Sequence, residues 1–193
     1  MGRVRRAARP KALPGLHTPG AGFEAPFEML GACHERVERT LALLTRLQQH
    51  LVDQGCDDAA RQAARDVMRY FDLAAPLHHQ DEELHVFPPL LAGPDAGLRT
   101  LVQRLLQDHR DMEAAWPPAR SVLQAVADTP ASEWAPPDHA QTAALNRFAA
   151  LYDRHLQDED SLAYPAAQSV LAGDALLARS QDMMQRRGVP AGK

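Results

Sequence analysis

The sequence has few cysteines, no long apolar run and almost no strand pattern. Cys33 and Cys56 are too few for a disulfide framework and form no Cys-x-x-Cys motif, so we interpret them as reduced thiols of a cytoplasmic protein. No apolar segment follows the first arginines, and no run approaches about 18 uninterrupted apolar residues. We therefore expect neither a secretory signal nor a transmembrane helix. Alternating β-branched segments bounded by turns are nearly missing, which argues against a β-sheet.

A basic surface is also missing beyond the first residues of the chain. The formal net charge is −4, and removing the five cations among the first eleven residues leaves −9. We therefore expect no nucleic acid partner and no membrane partner. Residues 1–22, rich in Arg, Pro and Gly, are predicted to form a disordered basic arm, and contact of this arm with an acidic partner or nucleic acid is the alternative. Residues 188–193 are predicted to be a disordered tail.

Apolar residues recurring every three or four positions predict four long amphipathic helices between residues 23 and 187. The first starts at Phe23 or Pro26, the second covers about 59–88, and the others follow the breaks at 93–97 and 134–138. A short fifth helix is expected over about 173–186. The predicted fold is all-α, an antiparallel up-down four-helix bundle built from two similar helical hairpins.

Prolines lie inside two of these predicted helices, where proline is normally unfavourable. Pro76 lies within the second helix, where a proline ring removes a backbone donor. Either the helix kinks or restarts there, or the bend helps to aim His78 inward. Pro117 and Pro118 are expected to interrupt the third helix in the same way.

Two stretches of the chain repeat the same order of residue types. The segment "PLHHQDEELHVFP" at 76–88 is matched about 77 positions later by "RHLQDEDSLAYP" at 154–165. The matched pairs are His78 with His155, Gln80 with Gln157, Asp81 with Asp158, Glu82 with Glu159, Phe87 with Tyr164, and Pro88 with Pro165. The chain therefore contains two copies of one helix.

Histidine followed by glutamate four residues later is the second unusual pattern. Five of the nine histidines show it, whereas randomly placed glutamates would give fewer than one such pair. The pairs are His34/Glu38, His78/Glu82, His79/Glu83, His109/Glu113 and His155/Glu159. Residues four apart share a helix face, so such a pair can reach one metal ion or two adjacent ones. Each predicted long helix carries a pair on its apolar stripe, where a carboxylate is unfavourable unless a cation neutralises it.

These motifs resemble the hemerythrin HHE cation-binding domain over about residues 24–172. The resemblance is carried by "CHERVERTL", "HHQDEELHVFP", "DHRDMEAAW" and "HLQDEDSLAYP". Members of that family hold a non-haem di-iron centre in a four-helix bundle, with two carboxylates and an oxygen atom bridging the irons. The resemblance therefore implies two iron ions (Fe2+/Fe3+, oxo-bridged), with Glu82 and Glu159 as the bridging carboxylates. The full set of ligands that it implies is His34, His78, Glu82, His109, His155 and Glu159.

The doubled histidine leaves a choice of register. His79/Glu83 has the same spacing as His78/Glu82, but the repeat places His78 opposite the histidine of the fourth helix. Only His78 has the same ten-residue distance to the following proline. We therefore predict His78 and Glu82 as ligands and place His79 and Glu83 on the polar flank. His85 is interpreted as a buried or hydrogen-bonded neighbour of the site, with an extra ligand as the alternative.

Glu38 and Glu113 leave a second choice. Oxygen-carrying hemerythrins have a histidine at the position of Glu113, so this departure argues against reversible oxygen transport. It favours the hemerythrin-like proteins of nitrosative stress and iron-centre repair. Both glutamates are expected to contact the site through water, with direct metal binding and a solvated surface acid as alternatives. Tyr152 is interpreted as a packed aromatic residue, and a hydroxyl beside the metals is its alternative.

The ligand types suit iron or manganese and also admit zinc. A ferritin-like bundle would need Glu-x-x-His on two helices, and only Glu82/His85 has this form. We predict a buried di-iron centre that binds or reacts with O2, NO or peroxide, in sensing, stress response or iron handling. The alternative is a non-catalytic metal store, or a metal-stabilised interaction bundle whose basic arm docks a partner. The sequence does not distinguish an enzyme from a protein that only carries a ligand. It also does not identify a protein partner.

Overall fold

The computed structural model describes residues 26–171 and 174–186. The predicted arm at 1–22, the predicted tail at 188–193 and the domain limits at 23 and 187 lie outside these ranges. Within them the regular secondary structure is entirely helical, without a strand, and the all-α prediction is confirmed. No helix in the described part of the chain is both long and apolar enough to cross a membrane.

Four long helices and one short helix make up the described protein. Helix α1 is Pro26–Asp53, α3 is Ala96–Asp128 and α5 is Asp174–Arg186. The second long helix, α2, is a continuous run of Asp58–Arg69, Tyr70–Ala74, Ala75–Asp81, Glu82–Val86 and Phe87–Ala92. The fourth, α4, is a continuous run of His139–Asp158, Glu159–Ala163 and Tyr164–Val170. A single 3₁₀ turn, Ala131–Glu133, lies between α3 and α4.

Aspartates begin three of the long helices. The Asp57 carboxylate accepts a hydrogen bond from the backbone N–H of Ala60, and Asp95 does the same for the first turn of α3. Asp138 forms a reciprocal capping box with Gln141 at the start of α4. Gly55, just after α1, has a φ of 79°, a backbone conformation that glycine adopts without strain. These local signals fix where the long helices start and stop.

Three widened turns of π-helix accommodate prolines within α2 and α4. They are Tyr70–Ala74, Glu82–Val86 and Glu159–Ala163, and Pro76, Pro88 and Pro165 each follow two residues after a turn ends. In each turn the last helical bond runs to a carbonyl five residues back, for example from the N–H of Phe87 to Glu82. A proline has no N–H to give, and the wider turn leaves room for its ring. The helix therefore continues through Pro76 without restarting.

The expected interruption at Pro117 and Pro118 is wrong, because α3 runs through both residues. The two rings remove the hydrogen bonds that would reach the carbonyls of Glu113 and Ala114. All four of these residues are exposed. Water can therefore satisfy those carbonyls, and the helix is maintained by the buried residues on its other face.

The long helices bury two separate apolar clusters. Consecutive helices pack against each other: α1 on α2, α2 on α3 and α3 on α4. The large cluster includes Val37, Leu44, Val67, Phe71, Met112, Leu123, Phe148 and Tyr152. The small cluster includes Met29, Leu30, Val86, Phe87, Leu105, Ala163, Tyr164 and Met183. Along each long helix, the change from one cluster to the other occurs at the predicted metal ligands.

Helix α5 closes the small cluster and is held by charged groups. Arg186 lies 2.6 Å from Oδ1 of Asp81, a side chain with no exposed surface. Asp182 pairs with His85 at 2.8 Å and with Arg186 at 2.9 Å. The side chain of Met183 is buried among the apolar residues of the small cluster. Helix α5 therefore contacts α2 through ionic pairs and the small cluster through Met183 and the partly buried Met184.

Replacing Arg186 with alanine is expected to lower the free energy of unfolding by about 3 kcal/mol, because it removes a charged partner from the buried Asp81. Urea unfolding followed by circular dichroism measures this. Arg154→Ala is the matched control, since Arg154 is largely exposed where it contacts Asp158 and should cost less than about 1 kcal/mol. Equal losses in the two variants would contradict the assigned role of the buried pair.

Candidate metal centre

The six predicted ligands lie together between the two apolar clusters. Helices α1 and α3 each contribute one histidine, whereas α2 and α4 each contribute a histidine and a glutamate one turn later. Each side chain is buried, with at most 4% of the residue exposed. These residues are His34, His78, Glu82, His109, His155 and Glu159. The fold thus gathers residues that are up to 125 positions apart in the sequence.

Glu82 lies between two histidines from different helices. Its Oε1 is 3.4 Å from Nε2 of His78, and its Oε2 is 3.5 Å from Nε2 of His109. The two oxygens of this carboxylate are therefore directed to different imidazoles. Glu82 can contact two metal ions at once.

Glu159 has the same relation to the other two histidines. Its Oε2 is 3.2 Å from Nε2 of His34, and its Oε1 is 3.2 Å from Nε2 of His155. The donor atoms consequently form two groups of four that share both glutamates, and within each group they lie within 4.8 Å of one another. The groups are His34, His78, Glu82 and Glu159, and Glu82, His109, His155 and Glu159.

The orientations of the imidazole rings agree with this division. The rings of His34 and His78 are perpendicular, with centroids 4.9 Å apart. Those of His109 and His155 are inclined at 57°, with centroids 4.8 Å apart. An imidazole binds a metal through a lone pair in the ring plane. The ring planes of two imidazoles that bind the same ion must therefore intersect near that ion. Both histidine pairs meet this condition.

Several polar atoms at the centre have no hydrogen bond among the described residues. They are both ring nitrogens of His78, Oε2 of Glu82 and both carboxylate oxygens of Glu159. Buried polar groups are normally paired, and an unpaired buried carboxylate is especially unfavourable. A cation would neutralise the carboxylates and accept the imidazole lone pairs. The residues present therefore suit a metal ion, which completes the pairing that the protein alone leaves open.

Three of the four imidazoles have an outer carboxylate at Nδ1. The pairs are His34 and Asp160 at 2.8 Å, His109 and Glu83 at 2.8 Å, and His155 and Asp108 at 3.4 Å. Such a contact fixes the ring orientation and makes Nε2 the better metal donor. Asp160 follows Glu159 and Glu83 follows Glu82, so the turns Glu82–Val86 and Glu159–Ala163 each supply both a central carboxylate and an outer one. The sequence repeat is thus also a repeat of the site.

The charged groups at the centre shift the pKa values of the predicted ligands. Some ligands therefore carry protons that a bound metal would displace. Burial lowers the pKa of His34, but Asp160, Glu159 and Glu82 outweigh this effect and raise it to about 12. Burial, assisted by the charge of Glu159, raises the pKa of Glu82. Burial and the neighbouring imidazoles keep the pKa of His78 well below its usual range. At neutral pH the metal-free protein therefore carries protons on His34, whereas His78 is already neutral.

The fold places the two adjacent histidines, His78 and His79, in different surroundings. His78 and Glu82 lie in the centre, in the register that the repeat predicts. Glu83 is exposed, and its carboxylate contacts His109. His79 is half-buried, with its ring stacked on that of His109 at 4.0 Å and 11°. It therefore lies closer to the site than its predicted place on the polar flank.

The four more distant candidates do not join the central groups. Glu38 and Glu113 are exposed, at the edges of two surface cavities. His85 pairs with Asp182 of α5 at 2.8 Å. Tyr152 is 2% exposed and packs among aromatic residues of the large cluster. The geometry thus gives the centre no direct glutamate from α1 or α3.

Tyr164 is a site residue that sequence reasoning did not identify. Its hydroxyl donates a short hydrogen bond to Oε1 of Glu82 and lies 2.9 Å from Nε2 of His34. Its ring stacks on His34 with centroids 5.0 Å apart. The available signal was the aromatic–proline pair that ends both copies of the repeat, because Phe87 occupies the matching place. In the sequence alone, the aromatic–proline pair indicates how the two copies align but not that Tyr164 contacts the site.

A helical bundle with a buried, twofold set of imidazoles and shared carboxylates defines a metal-binding protein. The family model described as the Hemerythrin HHE cation binding domain matches residues 25–167. The chain therefore belongs to the hemerythrin HHE cation-binding family, and the resemblance noted in the sequence is confirmed. It is also 30% identical over 170 residues to an uncharacterized protein of Haemophilus influenzae, covering 88% of this chain and 94% of that protein.

Metal binding is expected to release protons at pH 7, because His34 must lose its proton before Nε2 can bind a cation. The apparent affinity should therefore increase as pH rises from about 6 to 8. Calorimetric titration with Fe(II) or Zn(II), repeated in buffers of different ionisation enthalpy, counts the protons. At least one proton per chain is expected, and binding without proton release would contradict the assigned charge state.

Proposed function

We propose that this protein is an antiparallel four-helix bundle that holds two iron ions and binds or reacts with O2, NO or peroxide. The observation that carries the proposal is the position of Glu82 and Glu159, each with one oxygen near each histidine pair. A single ion would use one oxygen of each carboxylate and leave half of the buried donors unpaired. Two ions would use all of them.

The alternating order of the clusters supports the antiparallel arrangement. Helices α1 and α3 pass from the small apolar cluster to the large one, whereas α2 and α4 pass in the opposite direction. The connections at 54–57 and 93–95 are short, which favours antiparallel neighbours. The repeated His and Glu of α2 and α4 then face each other across the centre. This is the arrangement expected of two similar hairpins.

Iron is the proposed metal because the donors are four imidazoles and two carboxylates without a thiolate. This set suits iron or manganese, and zinc to a lesser degree. When bound, two iron ions supply the electrons and open positions for chemistry with a diatomic gas or peroxide. The protein contributes a buried site, with no ligand side chain more than 4% exposed. Its outer carboxylates hold three imidazoles with Nε2 directed to the centre.

Elemental analysis of protein produced with iron, together with its visible spectrum, tests the two-ion proposal. Two irons per chain are expected. Glu159→Ala removes a donor from both groups and should reduce the content below one iron per chain. Glu35→Ala, an exposed glutamate of α1, is the control and should retain both. One zinc ion, or no metal in well-folded protein, would contradict the proposal.

Reactivity needs a separate experiment. Protein loaded with Fe(II) under anaerobic conditions is exposed in turn to O2, NO and hydrogen peroxide, and its visible absorption is recorded. We expect a spectral change with at least one of them that is absent from the Glu159→Ala variant. An iron-loaded protein that responds to none would instead be a metal store or a metal-stabilised bundle.

A further inference from the structure

The two halves of the centre differ at two positions that the repeat otherwise aligns. Tyr164 of α4 corresponds to Phe87 of α2, so only one half carries a phenol oxygen. His79 of α2 corresponds to Leu156 of α4, so only the other half carries an additional imidazole. Other aligned pairs also differ, such as Pro76 with Asp153 and His85 with Leu162, but Tyr164 and His79 stack on a central histidine. These two differences make the surroundings of the two histidine pairs chemically unequal.

The same asymmetry appears in two surface cavities that the repeat relates. A cavity of about 610 Å³ lies between α2 and α3, and a groove of about 600 Å³ lies between α1 and α4. Four residues of α2 in the first and four of α4 in the second are 77 positions apart. They are Pro76, His79, Gln80 and Glu83, and Asp153, Leu156, Gln157 and Asp160. The two openings are therefore copies of one feature with different linings.

Of these two openings, the α2–α3 cavity is the one whose described lining includes a central histidine. Its lining includes His109 and His79, whereas the described lining of the α1–α4 groove contains Leu156 in the place of His79. The inner wall of the cavity is aromatic, formed by Phe71, Trp116 and other large-cluster residues. Such a wall accepts small, weakly hydrated molecules. The path from the surface therefore ends beside the pair formed by His109 and His155.

His79, His109 and His155 also have donor atoms close enough together to hold a metal ion, but the stacking of His79 on His109 does not favour that use. The two ring planes are inclined by only 11° and their centroids are 4.0 Å apart. Lone pairs that lie in nearly parallel planes do not converge at a metal roughly 2 Å away. His79 lines the cavity, and a neutral imidazole carries one N–H donor. It can bond to a molecule that binds there.

Tyr164 lies beside His34 of the other histidine pair, at the aligned position where Phe87 packs beside His109. Its oxygen is 2.9 Å from Nε2 of His34. This is the length of a hydrogen bond, so the phenol oxygen lies directly beside the atom with which His34 would hold an ion. With an ion present, Tyr164 could join His34 in holding it. Tyrosine is an established ligand of iron.

We propose that the centre is asymmetric: a small ligand enters through the α2–α3 cavity and binds beside His109, where His79 donates a hydrogen bond to it. The corresponding place beside His34 is taken by the oxygen of Tyr164. Bonding of that oxygen to the metal releases the phenolic proton to solvent and changes no oxidation state. The inference rests on the proposed di-iron function and states which of its two positions is open.

Azide, a small anionic probe, tests the position of the open site in protein loaded with Fe(III). Wild-type protein should bind one azide per two irons. His79→Leu should retain two irons and its azide-free spectrum but bind azide about tenfold more weakly, the effect of one lost hydrogen bond. An azide affinity within twofold of wild type would overturn the role of His79. A loss of iron in this variant would show that His79 is a ligand, which also overturns it.

Tyr164→Phe tests the closed position, and it introduces the residue already present at the matching position, Phe87. Wild-type Fe(III) protein should show a tyrosinate-to-iron charge-transfer band with phenolate vibrations in its resonance Raman spectrum. The variant should lose both and bind two azides. A wild-type spectrum without phenolate vibrations, or a variant that still binds a single azide, would overturn the assignment of Tyr164. Thermal unfolding checks that the variant is folded.

The entry path is tested at two exposed glutamates that the fold places in equivalent positions. Glu113 lies at the α2–α3 cavity and Glu38 at the α1–α4 groove. Glu113→Trp should narrow the cavity and slow azide association about tenfold in stopped-flow measurements, whereas Glu38→Trp should leave the rate within twofold. Equal rates in the two variants would overturn the entry path.

Iron content separates these outcomes from failure of the proposed function. If wild-type protein does not bind two irons, the di-iron proposal fails. If it binds two irons but the azide and Raman results contradict those expected, only the asymmetry fails.

Discussion

Burial of four imidazoles and two carboxylates at the centre is the constraint on which the rest of the structure depends. Two unpaired ionised carboxylates in such a place would cost several kcal/mol each. Their charge is met in part by protons on histidine, as the raised pKa of His34 indicates. Protons alone leave both oxygens of Glu159 without a hydrogen bond. A bound cation would reduce this deficit, so metal binding would also stabilise the folded state.

The π-helical turns explain how one short repeat supplies so much of the centre. Two of the three turns start at a central glutamate, Glu82 or Glu159, and are followed by an aromatic residue and a proline. The next residue, Glu83 or Asp160, reaches across to an imidazole of another helix. The aromatic residue then packs beside that same imidazole. Duplicating the turn therefore duplicates a central carboxylate, an outer carboxylate and an aromatic cover.

Much of the centre could be predicted because its ligands obey local rules. The helical period and the repeat identified both His-x-x-x-Glu pairs that the fold brings together. The same period also brought Glu38 and Glu113 into consideration, and the fold leaves both exposed. In α1 and α3 the residue three positions after the histidine is the buried one, Val37 or Met112, so the fourth position faces outward. Spacing alone does not reveal which neighbour lies toward the core.

Contacts between helices could not be derived in the same way. Tyr164 is 130 positions from His34, and nothing local distinguishes it from an ordinary packed aromatic residue. The continuous course of α3 through Pro117 and Pro118 depends on solvent reaching two carbonyls, which is a property of the folded surface. The all-helical fold, by contrast, follows from periodicity and capping residues that each segment carries itself.

The repeat also makes the departures from symmetry informative. A duplicated hairpin would by default give two equal metal positions, each with two histidines and two shared carboxylates. Tyr164 and His79 replace an apolar residue in opposite halves, and both lie within contact distance of a central histidine. Packing does not require either polar group, since Phe87 and Leu156 fill the matching places with apolar side chains. Their chemistry, rather than their volume, is therefore the physical difference between the halves, and it acts where a bound ligand would meet the centre.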